Sequence, residues 1–237
     1  MKNLINWDKK TWLSSSKYTL SIINFLEKKI KFNKETKILD IGCGRGKIIS
    51  NLSIKYQMNN LPLGIDIVDH KDNTKKIKFI RINALKYLSK TKEKFDLILF
   101  KQSIHFFKFI EIKKLLSFSK KNLNQNGKII ILALHPKKNQ WPLFNIFKKK
   151  LIQSLKKDEK ILNKIKFNFK KYKINYFIFK VKITKDSYLH MIKNRFTSCL
   201  LSLSTNELNK GIEEIKKKYK KNLLFHDKLI CISYKKK

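Results

Sequence analysis

Hydrophobic positions in the first part of the chain form short runs, and stretches with helical spacing separate them. The short apolar runs are residues 37–41, 63–67, 77–82, 95–100 and 128–134. Apolar residues at helical spacing lie between them, for example in 46–56 and 112–123. Strands that alternate with helices indicate a parallel sheet covered by helices on both faces. The pattern therefore predicts an α/β fold.

Beyond Pro136 the pattern changes. A lysine-rich helical stretch runs to about residue 170, a strand-like run covers 176–183, and an alternating run covers 223–234. Between these two runs, Ser204 and Glu207 have the spacing of a helix capping box. We expect a helical insertion at 185–221 between two terminal strands.

The size and composition fit one folded domain. The chain has 237 residues, of which 42% are hydrophobic, and no linker-like segment interrupts it. No apolar run reaches the roughly 20 residues that a membrane span needs, and the N-terminus lacks a signal-peptide pattern. We expect a cytoplasmic protein without a membrane partner. The cysteines and histidines are scattered, so neither a disulfide framework nor a metal site is predicted.

The formal net charge of +39 would ordinarily indicate nucleic acid as a partner. Arginine, which nucleic-acid readers favour for its bidentate fork, occurs only at Arg45, Arg81 and Arg195. Lysine, asparagine and isoleucine are abundant together, as in proteins from A+T-rich genomes. We favour such drift over a dedicated polyanion site. The expected partner is thus a small molecule, with non-specific polyanion binding at low salt and no specific nucleic acid.

The most informative segment is Asp40-Ile41-Gly42-Cys43-Gly44-Arg45-Gly46. It follows a predicted strand and precedes a predicted helix, which is the context of a glycine-rich nucleotide loop. Glycines permit a tight turn and let a ligand approach the backbone N–H groups at the helix start. The alternative is a glycine turn that merely connects a strand to a helix.

Further polar residues follow the next strands in order. Asp66 ends the second apolar run, where a carboxylate in this kind of fold accepts hydrogen bonds from ribose hydroxyls. An ordinary strand-end carboxylate is the alternative. Asn83 and Ala84 follow the third run, and Asp96 opens the fourth.

Together the segments LDIGCGRG, GID, Asn83-Ala84 and FDLILFKQSIHFF resemble the successive motifs of the class I S-adenosylmethionine-dependent methyltransferases, over residues 36–136. QSIHFF is similar to a segment of the trans-aconitate methyltransferase-like branch (methyltransferase type 11), with Phe106 in place of tryptophan. The resemblance implies a Rossmann-like, doubly wound sheet of seven strands. Its last two strands, 176–183 and 223–234, would form an antiparallel hairpin.

The resemblance also implies a cofactor, S-adenosylmethionine, and roles for individual residues. The three loop glycines would hold its methionine part, Asp40 would lie near the ammonium group, and Asp66 would bind the ribose. Asn83 and Ala84 would face the adenine, and Lys101 would line the same pocket. The residues assigned to the cofactor are thus Asp40, Gly42, Gly44, Gly46, Asp66, Asn83, Ala84 and Lys101.

The same resemblance divides the single domain, 1–237, into three parts. Residues 1–35 would form an N-terminal helical cover, 36–136 the cofactor-binding core, and 137–237 a C-terminal part that includes a substrate lid at 185–221. Trp12 and Tyr18 would either cover the cofactor or pack as ordinary core aromatics.

Two features depart from the family pattern. The segment between Asp66 and Asn83 is short and helix-poor, so the helix usually present there is expected to be shortened or missing. Asn83 stands where an aspartate is usual, although its side-chain carbonyl can still accept a hydrogen bond from the adenine amino group.

Candidate catalytic residues follow the fourth run. His105 suits proton removal at neutral pH, although it could equally shape the pocket without exchanging a proton. Gln102 is expected to line the same wall, and Phe106 to contact the substrate.

Arg195 lies in the predicted insertion. It would either bind a substrate carboxylate or phosphate, or form a structural salt bridge with Glu213 or Glu214.

The resulting expectation is methyl transfer from S-adenosylmethionine to a small anionic molecule, with O- or carboxyl-methylation favoured. An RNA or protein methyltransferase is the first alternative, although the Asn/Asp-Pro-Pro-Tyr type of segment used for base N-methylation is absent. A catalytically idle S-adenosylmethionine-binding regulator is the second.

Overall fold

A computed structural model describes residues 11–69 and 76–237. The strands within these residues are β1 (Ile38–Ile41), β2 (Leu63–Asp66), β3 (Lys78–Arg81), β4 (Phe95–Lys101), β5 (Leu123–Leu134), β6 (Lys173–Thr184) and β7 (Asn222–Lys235). The helices are α1 (Ser16–Glu27), α2 (Lys47–Lys55), α3 (Ala84–Lys90), α4 (Ile112–Lys121), α5 (Asn145–Phe169), α6 (Lys185–Lys193), α7 (Ser198–Leu201) and α8 (Thr205–Lys218).

All the strands of the described residues form one sheet of seven strands, in the order β3-β2-β1-β4-β5-β7-β6. β1 pairs in parallel with β2 and β4, β2 pairs in parallel with β3, and β4 does so with β5. β6 and β7 form the antiparallel C-terminal hairpin beside β5. The predicted Rossmann-like fold, mostly parallel with an antiparallel hairpin, is confirmed.

β5 begins at Leu123, whereas the apolar run predicts a start at residue 128. Phe95 pairs with Leu123 and Leu97 with Lys128, so the intervening residues of β5 bulge out of the ladder. Asn126 has a φ of 63°, the left-handed conformation that asparagine tolerates better than most residues. The pair Asn126-Gly127, whose sequence predicts a turn just before the run 128–134, is therefore an irregularity within the strand.

The chain divides into two compact units. The first, which we call the core unit, comprises Leu20–Ala133, Lys160–Phe177 and Leu229–Lys237. The second, the accessory unit, comprises residues 11–19 of the described chain, Leu134–Glu159 and Ile178–Lys228.

In the core unit, both faces of the sheet are buried. One face carries Leu39, Ile65 and Ile98, which pack in one cluster with residues of α3, α4 and the last part of α5. On the other face, a Cβ built on Gly64 would lie 2.7 Å from the sulfur of Cys43 and 3.4 Å from Ile49 of α2. Helices thus cover both faces, as the continuous apolar runs predict.

The accessory unit contains an aromatic cluster centred on Trp12. The ring centroid of Trp12 lies 5.4 Å from that of Trp141, 6.4 Å from Tyr188, 5.1 Å from Phe196 and 5.3 Å from Phe225. Trp12 is 4% exposed, so its observed role in this unit is aromatic packing.

A buried carboxylate belongs to the same unit. Asp227 is fully buried, and it accepts hydrogen bonds from the hydroxyl of Tyr18 at 3.0 Å and from the indole N–H of Trp141 at 3.3 Å. Burial, followed by the charge of Asp227, raises the pKa of Tyr18 well above its usual value, so the hydroxyl keeps its proton.

The helices α6, α7 and α8 fill the chain between β6 and β7, which confirms that 185–221 is a helical insertion. The capping box is also confirmed: the Ser204 hydroxyl accepts from the Glu207 N–H at 3.2 Å, and the Glu207 carboxylate accepts from the Ser204 N–H at 2.7 Å. The role of the insertion 185–221 as a substrate lid stays a prediction. Among the residues that the structure describes, no helix is both long and apolar enough to cross a bilayer.

Candidate functional site

The glycine loop joins β1 to α2 in the core unit. Gly42, Gly44 and Gly46 have φ values of 71°, 54° and 66°, which side chains rarely adopt. A Cβ on Gly42 would come within 2.4 Å of Ser103 Cβ, and a Cβ on Gly46 within 2.3 Å of the Ile77 side chain. A Cβ on Gly44 would meet nothing within 4 Å. Packing therefore leaves no room for a side chain at Gly42 and Gly46. The face of Gly44, in contrast, borders open space in which a ligand can lie.

Asp66 ends β2 beside this loop. One of its carboxylate oxygens accepts from the Gly44 N–H at 2.9 Å, and the other accepts from the Val68 N–H at 3.0 Å. The side chain is partly exposed, so its remaining lone pairs can meet a ligand hydroxyl. Asp66 therefore also holds the loop in position, a role that the sequence alone did not reveal.

Asp40 lies in the middle of the site and is 3% exposed. Its Oδ1 atom is buried and has no hydrogen-bond partner within the described protein. Burial raises the pKa of Asp40 to about 7, the charge of Asp66 adds to this, and the charge of Lys101 at the end of β4 opposes it. A buried acceptor without a donor is costly, so this atom fits a cationic group of a ligand. Together with the open face of Gly44, this is the fit expected for the ammonium end of S-adenosylmethionine.

Cys43, inside the loop, is not a nucleophile. Burial, followed by the charges of Asp40 and Asp66, raises the pKa of its thiol far above the usual value. The thiol therefore stays protonated at neutral pH and packs as a small apolar side chain against Gly64.

Asn83 and Ala84 lie where β3 passes into α3. The side-chain carbonyl of Asn83 accepts from the N–H groups of Leu85 at 2.9 Å and Lys86 at 3.2 Å, so Asn83 is the N-cap of α3. With this oxygen on the helix, the side-chain NH₂ is the group that Asn83 can offer an adenine. Ala84 is buried in the core, and its N–H, at the first helical position, has no acceptor within the helix.

Beyond β4, the chain turns sharply at Gln102, whose φ is 53°. The Gln102 N–H donates to Leu132 O at 2.7 Å, and the hydroxyl of the buried Ser103 donates to Ile41 O at 2.5 Å. These bonds tie the end of β4 to β5 and β1. The positive φ of Gln102 is a strained backbone conformation, and such strain concentrates at functional sites. Ser103 was missed by the sequence analysis, and its only signal is a small polar residue directly after a strand.

The next residues form a short 3₁₀ turn, Ile104–Phe106. His105 is partly buried and its ring lies 4.1 Å, centroid to centroid, from that of Phe106. The Phe106 side chain is 57% exposed.

The parallel strands β1 to β4 all end at one edge of the sheet. The predicted cofactor residues lie in the last residues of these strands or in the segments that follow them, and Gln102, His105 and Phe106 follow the end of β4. This edge is where α/β proteins bind ligands. Among the described residues, no group of three or more histidine, cysteine, aspartate or glutamate side chains could hold a metal ion.

Arg195 belongs to the accessory unit. Its Nη1 atom donates to Leu200 O at 2.5 Å and to Leu203 O at 2.7 Å, which closes the segment between α6 and α8. The structure does not show the alternative salt bridge of Arg195 with Glu213 or Glu214, because both carboxylates bind other groups. Glu213 pairs with Lys216 at 2.7 Å, and Glu214 accepts from the Asn145 N–H at 2.9 Å.

Comparison with known proteins identifies the family of the chain. The family model described as "Methyltransferase domain" matches residues 15–157, which is more than half of the chain. None of the curated proteins compared matches the chain.

Solved structures share the fold at low sequence identity. A methyltransferase from an antibiotic biosynthesis pathway of Anabaena variabilis aligns with a TM-score of 0.60 at 14% identity, over 90% of this chain and 96% of that one. A SAM-dependent methyltransferase from Archaeoglobus fulgidus gives 0.54 at 19% identity, over 92% and 94%. The plantazolicin methyltransferase BpumL, solved with a desmethylPZN analogue and SAH, gives 0.51 at 17% identity, over 98% and 86%. The chain therefore belongs to the methyltransferase domain family and is a class I S-adenosylmethionine-dependent methyltransferase.

Proposed function

We propose that the cofactor lies along the Gly42–Gly46 loop and that its methyl group passes to an oxygen of a small acidic molecule. The proposal is carried by the buried Oδ1 of Asp40, which has no hydrogen-bond partner among the described residues, together with the open face of Gly44 in the loop that follows. In this arrangement Asp40 binds the ammonium group, Asp66 the ribose hydroxyls, and Asn83 with Ala84 the adenine. Lys101, at the end of β4, lines the same pocket, and its charge opposes the rise in the pKa of Asp40.

The bound cofactor supplies a methyl group that is already activated by its sulfonium. The chain's own residues therefore need to hold the acceptor oxygen in line and close, which supplies much of the rate enhancement. We assign this task to the strained turn at Gln102 and to Phe106. His105 removes the proton when the acceptor is a hydroxyl, and a carboxylate acceptor needs no base.

Three arguments favour a small acidic acceptor. The segment from Gln102 to Phe107 resembles the corresponding segment of the trans-aconitate methyltransferase-like branch. This resemblance makes di- and tricarboxylates the first acceptors to test. Arg195 can meet an acceptor anion through its Nε–Nη2 edge, because Nη1 already binds two carbonyls. The helices of 185–221 join the end of β6 to the start of β7, and we propose that they form the substrate lid. The plantazolicin methyltransferase BpumL, solved with a monoazolic desmethylPZN analogue, adds azole-containing compounds as a second class to test.

Calorimetric titration tests the cofactor assignment directly. We expect binding of S-adenosylmethionine and of its demethylated product with micromolar dissociation constants, which corresponds to about −8 kcal/mol. Absence of heat with both ligands at high protein concentration would refute the proposed site.

Replacing His105 by glutamine separates its two candidate roles. If His105 is the base, we expect kcat for a hydroxyl acceptor to fall about 10²- to 10⁴-fold, as is typical for loss of a general base. The kcat for a carboxylate acceptor should stay within a few-fold of wild type. An equal loss with both acceptors would mean that His105 shapes the pocket and exchanges no proton.

Substitution of Arg195 has two separable consequences. Arg195→Ala should lower the free energy of unfolding by about 1.5–3 kcal/mol, because Leu200 O and Leu203 O lose a charged donor. Arg195→Lys keeps the charge but loses the planar fork, so KM for an acidic acceptor should rise strongly. Urea unfolding and steady-state kinetics measure the two effects. If KM is unchanged in Arg195→Lys, Arg195 is structural only.

A further inference from the structure

The core unit exposes large apolar side chains where the segment after His105 meets the end of α5. The exposed fractions are 57% for Phe106, 50% for Phe109, 79% for Ile110 and 83% for Phe167. The last two are the highest values among the large hydrophobic side chains of the described residues. We call these four residues the Phe167 patch.

Lys164 joins Phe109 and Ile110 to the part of α5 that carries Phe167, and Phe106 lies three residues before Phe109 in the chain. Lys164 of α5 donates to Phe109 O at 2.9 Å, and its ammonium lies 3.9 Å from the centre of the Phe109 ring. Phe167 is three residues further along α5, and residues at this spacing are neighbours on one helix face. Ile110 adjoins Phe109 in the 3₁₀ turn Phe109–Glu111. Lys164 therefore fastens the two halves of the patch together.

Lysines are frequent in the two segments that carry the patch. The same two segments carry Lys108, Lys164, Lys166, Lys170 and Lys171, of which Lys108, Lys170 and Lys171 are exposed. The one carboxylate in residues 104–111, Glu111, caps its own turn by accepting from the Lys108 N–H at 3.0 Å. The patch thus combines protruding phenylalanine and isoleucine side chains with a positive rim.

We infer that the Phe167 patch docks the protein on the surface of an anionic lipid membrane. Apolar side chains that protrude among lysines are the combination that binds such surfaces, with the rings and aliphatic tips in the acyl boundary and the ammonium groups at the headgroups. Single-stranded nucleic acid fits less well, because an isoleucine offers no π-face for base stacking. Surface docking requires no transmembrane helix, so a search for long apolar runs does not reveal it. The inference stands apart from the proposed acceptor and cofactor roles.

Docking has a consequence for the active-site edge. Phe106 belongs both to the patch and to the segment that carries His105. Bound in this way, the protein would hold that segment at the lipid surface.

Vesicle sedimentation tests the inference with the full chain. The vesicles contain phosphatidylcholine with about one third phosphatidylserine, in ~0.15 M salt, which screens charges beyond roughly 8 Å. We expect Ile110→Ser/Phe167→Ser to lower the vesicle affinity at least about tenfold relative to wild type. The matched control is Ile54→Ser, since Ile54 is 58% exposed on α2 of the same unit and should leave the affinity unchanged. Unchanged heat of cofactor binding shows that each variant is folded.

A tryptophan placed at the patch distinguishes insertion from adsorption by charge alone. In Phe167→Trp, the emission measured as a difference from wild type should shift to the blue with these vesicles, and brominated lipids should quench it. Ile54→Trp should show neither change. The inference is overturned if the double serine variant binds vesicles as wild type does, if the Phe167→Trp emission is unchanged while the protein sediments, or if RNA at equal phosphate concentration displaces the vesicles completely.

Discussion

Gly44→Ala is expected to weaken S-adenosylmethionine binding at least about tenfold, or 1.4 kcal/mol, while the protein stays folded. A Cβ at Gly44 meets no protein atom, so it projects into the space that the ligand needs. The positive φ of 54° adds a strain of roughly 1–2 kcal/mol to the loop, which a domain of this size tolerates. Calorimetry measures the affinity, and thermal unfolding of the ligand-free protein measures the stability.

Gly42→Ala is the matched control. Its φ is also positive, but its Cβ would overlap Ser103, so the substitution should lower both the unfolding temperature and the affinity. If Gly44→Ala binds the cofactor as wild type does, the ligand does not lie against the open face of the loop.

Asp40→Asn should stabilise the ligand-free protein and weaken cofactor binding at the same time. The pKa of Asp40 is raised to about 7 in the folded protein, against about 3.9 in an unfolded chain, so the folded state holds the proton more tightly. A difference of three pKa units corresponds to a destabilisation of wild type by about 4 kcal/mol at pH values where the carboxyl is ionised in both the folded and the unfolded state. Asparagine removes this penalty, but it also removes the negative charge that meets the ammonium group.

The sign of the pH dependence follows from the same shift. Below pH ~4 the carboxyl is protonated in both states and contributes nothing. As pH rises towards 7, the unfolded chain has lost the proton and the folded protein still holds it, so wild-type stability falls. The advantage of Asp40→Asn should therefore be present at pH 8 and absent at pH 4.

Binding should show the opposite trend in wild type. A cationic ligand favours the ionised carboxylate, so affinity for S-adenosylmethionine should increase between pH 6 and pH 8. Asp40→Asn should lose this dependence. Chemical unfolding and calorimetry at several pH values measure both effects, and an affinity in Asp40→Asn equal to that of wild type would show that Asp40 does not bind the ammonium group.

Asp40 lowers the stability of the ligand-free protein but is needed for binding, because a carboxylate oxygen that is buried to meet a ligand has no hydrogen-bond partner when the ligand is absent. Such sites reduce stability in exchange for binding. The sequence places Asp40 in a recognisable motif, but burial and the missing partner, which cause the conflict, depend on the packing around β1.

The sequence determined the order and type of the main elements. Buried parallel strands must be apolar throughout and their helices apolar on one face, so both leave a local signal in the chain. Left-handed turns and capping boxes are equally local, and for this reason the glycine loop and the Ser204–Glu207 box were predicted correctly. The resemblance then supplied the number of strands and the C-terminal hairpin.

Tertiary structure decided which partner each polar group takes. The Asn83 carbonyl caps α3, the Arg195 guanidinium closes the insertion through two carbonyls, and Ser103 ties β4 to β1. It also decided that the Asn126-Gly127 turn lies within β5 and that Asp227 is buried against Tyr18 and Trp141. These arrangements join residues far apart in the chain, or choose among several neighbours of equal hydrogen-bonding capacity. Residue type and spacing indicate which kinds of group a side chain can bind. Only packing determines which of these possible partners lies within reach.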